Sequence, residues 1–286
     1  MQSILPSIMS QPDPQSLVEP VRAIAEEAGR LIMEYYKNTG AVDTKSDGSP
    51  VTEADRAAHR LISARLRDLG PHLPILSEES AQAPYSERRG WTDFWLVDPL
   101  DGTREFINRR DEFTVNIALV RGGSPVLGVV GIPARDLVYW GWTSGGAFRQ
   151  RGGEPSEPIR VRRFHGGVPV VVASRSHSSP PTAAFVERAK EVFGECELKS
   201  LGSALKICLV AEGEADVYPR LGPTSEWDIA AAHAVLQAAG GRMTTARGEP
   251  LRYNKENILN PWFVAAGESD FDWITITREL SEKSER

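Results

Sequence analysis

Cysteine is scarce: the chain of 286 residues has two, Cys196 and Cys208, and they form no CxxC spacing. That argues against a disulfide framework and a structural zinc site, and it fits a reducing cytoplasm. Long apolar runs are missing too, and no window approaches the roughly 18 residues that a membrane-spanning helix needs. The opening MQSILPSIMSQPDPQ has no basic start followed by an apolar stretch, so it does not read as a signal peptide. Positive charge is not in surplus, because 33 Lys and Arg stand against 39 Asp and Glu for a net charge of -6. Nucleic acid and anionic membrane surfaces are therefore not expected partners, although a small phosphorylated ligand needs only a local group of donors. There is also no Walker A loop, no GxGxxG, no GxSxG elbow and no HxxxH pair among the five histidines. These absences argue against a kinase, a dinucleotide enzyme and an esterase, and no histidine is assigned to metal.

What is there is an ordinary globular composition, 41% hydrophobic and 25% charged, in a chain long enough to bury roughly three quarters of its unfolded surface. Leu17, Val18, Val21, Ile24, Ala25, Ala28, Leu31 and Ile32 recur at helical spacing between Gln15 and Lys37, with Pro20 read as part of the first turn. A polar loop leads to a second helix, about 52–69, opened by TEAD as a capping box. Short strands are expected at 74–76, 94–97, 114–120, 126–132 and 137–142, the last three joined as hairpins into an antiparallel sheet. From about residue 168 strands and helices alternate, which indicates an α/β layer. RVRRFHGG, residues 160–167, is the best boundary. The expected division is a loose N-terminus (1–14), an N-terminal α+β half carrying an antiparallel sheet and the metal site (15–162), and a C-terminal α/β half completing the active site (163–286).

The chemistry is concentrated at element ends. In FWLVDPLDGTREF an apolar strand runs into Asp98 and Asp101, with the Leu100 carbonyl between them. Pro99 is expected to stop the strand near Asp98. Three hard oxygen donors at this spacing suit Mg²⁺ or Ca²⁺. Gly102 lets a ligand approach the backbone, and TREFI can open a helix whose free N–H groups attract phosphate. Taken alone, DPLDG also reads as a surface turn. PILSEES likewise sets Glu78 and Glu79 after a strand, either as ligands or as solvated acids. TSEWDIAAAHAVLQAAGG places Asp228 at the start of a small-residue helix, as a ligand or a plain N-cap. Asp55 has the same ambiguity within its capping box. If Glu78, Asp98, Asp101 and Asp228 converge, they cannot all stay ionised without cations. Two Mg²⁺ ions would balance them and leave positive field for a phosphate.

WLVDPLDGTREF and WDIAAAHAVLQAAGG resemble the two signatures of the lithium-sensitive, magnesium-dependent phosphatases that include the inositol monophosphatases. SEES and SPVTEAD match as well, and the resemblance runs from the first helix to about residue 267. The chain is most similar to the 3'(2'),5'-bisphosphate nucleotidases of the CysQ type, through Arg-Glu-Phe after DGT and through ASRSH, GSALKICLVAEGEADVYPRLGPTSEWD and EPLRYN. Ile229 departs from the frequent Thr of these relatives and is expected to point away from the metals.

The resemblance implies an α/β (α+β) fold, a layered α-β-α-β-α sandwich of the sugar-phosphatase type. It implies that Glu78, Asp98 and the Leu100 carbonyl hold one Mg²⁺ and that Asp98, Asp101 and Asp228 hold a second, with room for a weaker third. Gly102 and Thr103 would grip the phosphate through backbone N–H groups, and Thr103 with Asp55 would activate the attacking water. Ser203 and Lys206, three apart at a helix start, and Arg220 form a candidate second anion site; Ser174 and His177 are candidates for the nucleoside pocket. As substrate-binding groups, Glu78, Leu100, Asp101 and Asp228 join these.

The implied reaction is Mg²⁺-dependent removal of the 3'-phosphate of adenosine 3',5'-bisphosphate, with 3'-phosphoadenylyl sulfate as a second substrate, in sulfur assimilation. The alternatives are an inositol monophosphatase or other sugar-phosphate phosphatase, and a non-enzymatic cation-binding protein of the same fold. The expected setting is the cytoplasm, with peripheral association to the inner membrane left open, and the expected state is a monomer or homodimer.

Overall fold

Two faces of one sheet must be covered, because its central strands are apolar on both sides. In the strand Asp93–Asp101, Phe94 and Leu96 point one way, with Ala118 and Val120 of the neighbouring strand. Trp95 and Val97 point the other way, with Ile117 and Leu119. That explains the continuous apolar run in place of strict alternation. The structure is a computed structural model that describes residues 11–38, 42–44, 50–70, 72–174 and 179–284.

This seven-stranded sheet runs, edge to edge, Ile75–Ser77, Asp93–Asp101, Thr114–Arg121, Ser124–Ile132, Leu137–Trp142, Gly146–Arg151 and Glu157–Ile159. The first pair is parallel and the rest antiparallel. The last two strands are polar and short, and the sequence reading did not name them.

The helices Pro14–Lys37 and Glu53–Asp68 cover one face, burying Leu17, Val21, Ile24, Ala28, Ile32, Ile62 and Leu66 against Trp95, Val115 and Val129. The first begins at Pro14, so Pro20 lies inside the helix rather than in its first turn. The segment read as a loop between them contains a small antiparallel pairing of Val42–Thr44 with Pro50–Thr52. On the other face lie Leu205–Ala211 and Glu226–Ala238, whose Ile207, Val210, Ala231 and Val235 are shared with a second sheet.

That second sheet has five strands in the order Glu197–Leu201, Val170–Ser174, Val217–Arg220, Phe263–Ala266 and Arg242–Thr245. Its first three strands are parallel, and Phe263–Ala266 is antiparallel to both of its neighbours, so Arg242–Thr245 runs in the direction of the first three. Pro180–Phe193 and Ile274–Ser284 close its outer face around Phe185, Ala189, Trp273 and Ile276. The layers are therefore helix, sheet, helix, sheet, helix, as the resemblance implies. No helix among the described residues is long and apolar enough to cross a membrane.

Candidate active site

Pro99 does not end its strand. Asp98 pairs with Asn116 and Asp101 with Thr114, so three steps on one strand face two on the other. That extra residue makes a bulge, which tolerates a missing proline N–H and bends the strand end. Leu100 N donates to Asp98 Oδ1 at 3.1 Å. Gly102 then takes φ 91, the left-handed region, and turns the chain into the one-turn helix Thr103–Ile107.

Glu78 reaches the same place from the neighbouring strand. Ser77 pairs with Val97, and Glu78 N donates to Val97 O at 3.2 Å, which sets Glu78 beside Asp98. Asp228 comes from the far half of the chain. It is not the N-cap: Ser225 holds that position, and Asp228, the third residue of the helix, closes a capping box by accepting from Ser225 N at 2.9 Å. Glu78, Asp98, Leu100, Asp101, Gly102, Thr103 and Asp228 line one cleft of about 520 Å³.

The electrostatics are those of crowded acids. Burial, reinforced by the charges of Glu78, Asp101 and Asp228, pushes the Asp98 carboxyl well above its usual range, and Glu78 is hydrogen-bonded to it. Burial and the charges of Asp101 and Glu78 do the same to Asp228. Asp101 is also raised by burial, but Lys206 and the Ala204 N–H, 2.6 Å from its Oδ2, pull the other way. Two carboxyls can share a hydrogen bond only if one keeps a proton; a divalent cation removes that need. Among the described residues, no three His, Cys, Asp or Glu side chains already close into a ready ligand sphere. The fit to Mg²⁺ thus rests on hard oxygen donors and unbalanced buried charge.

Asp55 belongs to the capping box and also reaches Thr103. Its Oδ2 accepts from Thr52 N at 2.7 Å in the capping box. Its Oδ1 accepts from the Thr103 hydroxyl at 3.2 Å, and that hydroxyl also lies 3.4 Å from Leu100 O. Burial raises the Asp55 carboxyl despite the Thr52 hydrogen bonds.

Ser174, Ser203, Lys206 and Arg220 line the same cleft. Ser203 and Lys206 do not share a helical face. The helix starts at Leu205, and Ser203 precedes it at φ 47. Lys206 Nζ donates to the Ser203 carbonyl at 2.6 Å and lies 5.5 Å from the Tyr218 ring centre. Burial brings its ammonium down to about 8, against the pull of Asp101. Arg220 Nη2 donates to Pro223 O at 2.8 Å, while its buried Nε has no partner among the described residues. Ile229 is buried in the hydrophobic core and borders the cleft. His177 lies outside the described residues.

Sequence reasoning missed Tyr218, Glu105, Glu112 and Thr114. Glu105 and Tyr218 line the cleft. Glu112 Oε2 accepts from Gly202 N at 2.9 Å. Thr114 Oγ1 lies 3.4 Å from Asp101 Oδ2. For Thr114 the available signal was a pair of polar residues, Thr114 and Asn116, at alternate positions in the first half of a buried strand.

Acids gathered around a threonine hydroxyl that is itself tied to a buried carboxylate suit a phosphatase working through divalent cations. The inositol monophosphatase family model matches residues 13–270, and the chain belongs to that family. The 3'(2'),5'-bisphosphate nucleotidase CysQ of Escherichia coli K12 is 45% identical over 250 residues, 86% of this chain and 98% of that protein. The crystal structure of CysQ from Bacteroides thetaiotaomicron superposes with a TM-score of 0.80 at 44% identity, covering 89% of this chain and 98% of the other. An IMPase from Thermotoga maritima gives a TM-score of 0.75 at 26% identity, covering 91% and 96%.

Proposed function

We propose that this chain is a Mg²⁺-dependent 3'(2'),5'-bisphosphate nucleotidase that converts adenosine 3',5'-bisphosphate to AMP and phosphate. 3'-Phosphoadenylyl sulfate is its second substrate. The likeness to the nucleotidases supports this reading. The observation that carries it is a cleft lined by the acids together with Lys206 and with Arg220, whose buried Nε has no hydrogen-bond partner among the described residues. A monophosphate has no use for the second group.

In this reading Glu78, Asp98, the Leu100 carbonyl, Asp101 and Asp228 hold two Mg²⁺, with a weaker third allowed. When bound, these ions neutralise the phosphoryl oxygens and favour an ionised water. Gly102 and Thr103 N–H groups orient the 3'-phosphate. Because the Thr103 hydroxyl donates to Asp55, its oxygen is free to accept a proton from the attacking water. Asp55, made more basic by burial, takes up that proton through Thr103. Ser174 borders the nucleoside, and Arg220, with Lys206 behind it, meets the other phosphate. The halves 15–162 and 163–286 then divide the labour, the first holding most metal and water contacts and the second selecting the substrate. Both cysteines are free, in keeping with a cytoplasmic setting as monomer or homodimer.

A substrate panel tests this: adenosine 3',5'-bisphosphate, inositol 1-phosphate and fructose 1,6-bisphosphate, with and without Li⁺. Arg220→Ala should lower kcat/KM for the nucleotide bisphosphate about 10- to 100-fold, the loss of one charge-assisted bond, and spare monoester turnover. Lys206→Ala should act in the same direction. Equal losses on both substrate types would return the site to a sugar-monophosphate phosphatase. Absence of phosphate release from every substrate would favour a cation-binding protein of the same fold.

A further inference from the structure

Asn116 is an anomaly of the central strand. It is 1% exposed, and neither its Oδ1 nor its Nδ2 has a hydrogen-bond partner among the described residues. A side-chain amide carries two donors and a two-lone-pair acceptor. Burying all of them unpaired is unfavourable, and an apolar residue would serve the sheet better. The rest of the strand takes that option: Val115, Ile117, Ala118 and Leu119 are all fully buried.

Register explains what the amide is near. Asn116 stands directly opposite Asp98, and such cross-strand partners present their side chains on the same face with Cβ atoms about 4.5–5.5 Å apart. That face, shared with Leu96 and Ala118, is the one covered by Glu226–Ala238. Two residues earlier Thr114, opposite Asp101, already brings its hydroxyl to Asp101 Oδ2 at 3.4 Å. Thr114 and Asn116 thus form a polar row directly behind the two aspartates. The amide is close to Asp98 yet makes no direct bond to it. A gap of that kind between two buried polar groups is where proteins keep an ordered water.

We propose that Asn116 is a positioning residue for Asp98, holding its carboxylate through one buried water so that its oxygens are presented to the cleft. This rests on the reading of Asp98 as a metal ligand. Groups that orient a metal ligand from behind change metal affinity or activity by about 10- to 100-fold when lost.

The test compares Asn116→Leu and Asn116→Ser with wild type in three measurements: thermal melting in EDTA, Mn²⁺ binding by electron paramagnetic resonance, and kcat and KM as functions of Mg²⁺. Asn116→Leu should melt in EDTA at or above the wild-type temperature, because an apolar side chain replaces a buried amide and the water it must immobilise. Its Mn²⁺ affinity should fall about tenfold or more, with the loss of rate largely recovered at high Mg²⁺. Asn116→Ser, which keeps a hydroxyl and room for the water, should regain most of the affinity. The proposal is overturned by wild-type Mn²⁺ affinity in Asn116→Leu, by Asn116→Ser binding as weakly as Asn116→Leu, or by an Asn116→Leu chain that does not fold. Wild-type protein that binds no Mn²⁺ would instead remove the metal reading itself, and the role of Asn116 with it.

Discussion

A carboxylate with two oxygens can hold a helix together with one and do chemistry with the other, and Asp55 is placed to do so. Asp55→Asn retains an oxygen for the Thr52 N–H but can turn its amide nitrogen toward Thr103, so the threonine hydroxyl must accept where it now donates. The substitution should lower kcat by about 10²–10⁴, the usual contribution of a positioned general base, while thermal unfolding stays close to wild type. Steady-state phosphate release alongside melting curves checks this, and a kcat within a factor of about ten of wild type would remove Asp55 from the proton path. The activity that remains in wild type should fail as pH drops through the raised range of the Asp55 carboxyl, where the base becomes protonated. Asp55, Asp98, Asp101 and Asp228 were all legible in the sequence because they sit in turn and cap contexts with recognisable spacing. Glu112, Thr114 and Asn116 were not, since each lies in or beside an apolar strand where hydrophobic pattern dominates. Only the partner strand shows what Thr114 and Asn116 face, and only the fold brings Gly202 to Glu112.

Glu226–Ala238 carries Asp228 against the sheet, and glycine makes the approach close enough. A Cβ on Gly128 would lie 2.0 Å from the Ala231 carbonyl oxygen and 2.9 Å from its Cα, both backbone atoms of that helix. Gly128→Ala therefore forces the helix off the strand, and Asp228 moves with it. Destabilisation of about 1–3 kcal/mol is expected from such overpacking, together with a loss of activity larger than the loss of folded protein. Denaturant titration and kcat on the same samples separate the two effects, and full activity in a folded variant would show that Asp228 tolerates the shift. The helix itself was legible from its run of small residues, but not the partner that requires them small. The bulge at Pro99 was misread for a related reason: proline does terminate paired strands, but whether an extra residue relieves it depends on the neighbour. Arg242–Thr245 and Phe263–Ala266 went unnamed.

The site exists only in the assembled molecule, where the ends of Ile75–Ser77 and Asp93–Asp101 meet the start of Glu226–Ala238. The order of the five layers was supplied by resemblance rather than periodicity, since nothing local says which face of a sheet a distant helix covers. That convergence ties stability to pH. In the metal-free fold, burial and mutual repulsion raise Asp98 and Asp228 above their unfolded values. Groups raised in this way contribute stability that is complete below the unfolded carboxylate range, about 3.9, and is lost as pH climbs through their folded values. Bound Mg²⁺ reverses the balance, because it binds the ionised carboxylates and releases their protons. The melting temperature in EDTA should therefore fall further below that in Mg²⁺ as pH rises from the acid side. The gap should correspond to about 2.7 kcal/mol where Mg²⁺ is a hundredfold above its dissociation constant. Calorimetric titrations in two buffers of different ionisation enthalpy should show net proton release on binding, shrinking at higher pH. A gap that stays constant with pH, together with heats that do not depend on buffer, would mean that the carboxylates are already ionised and apart, and the crowded-acid account of this cleft would fail.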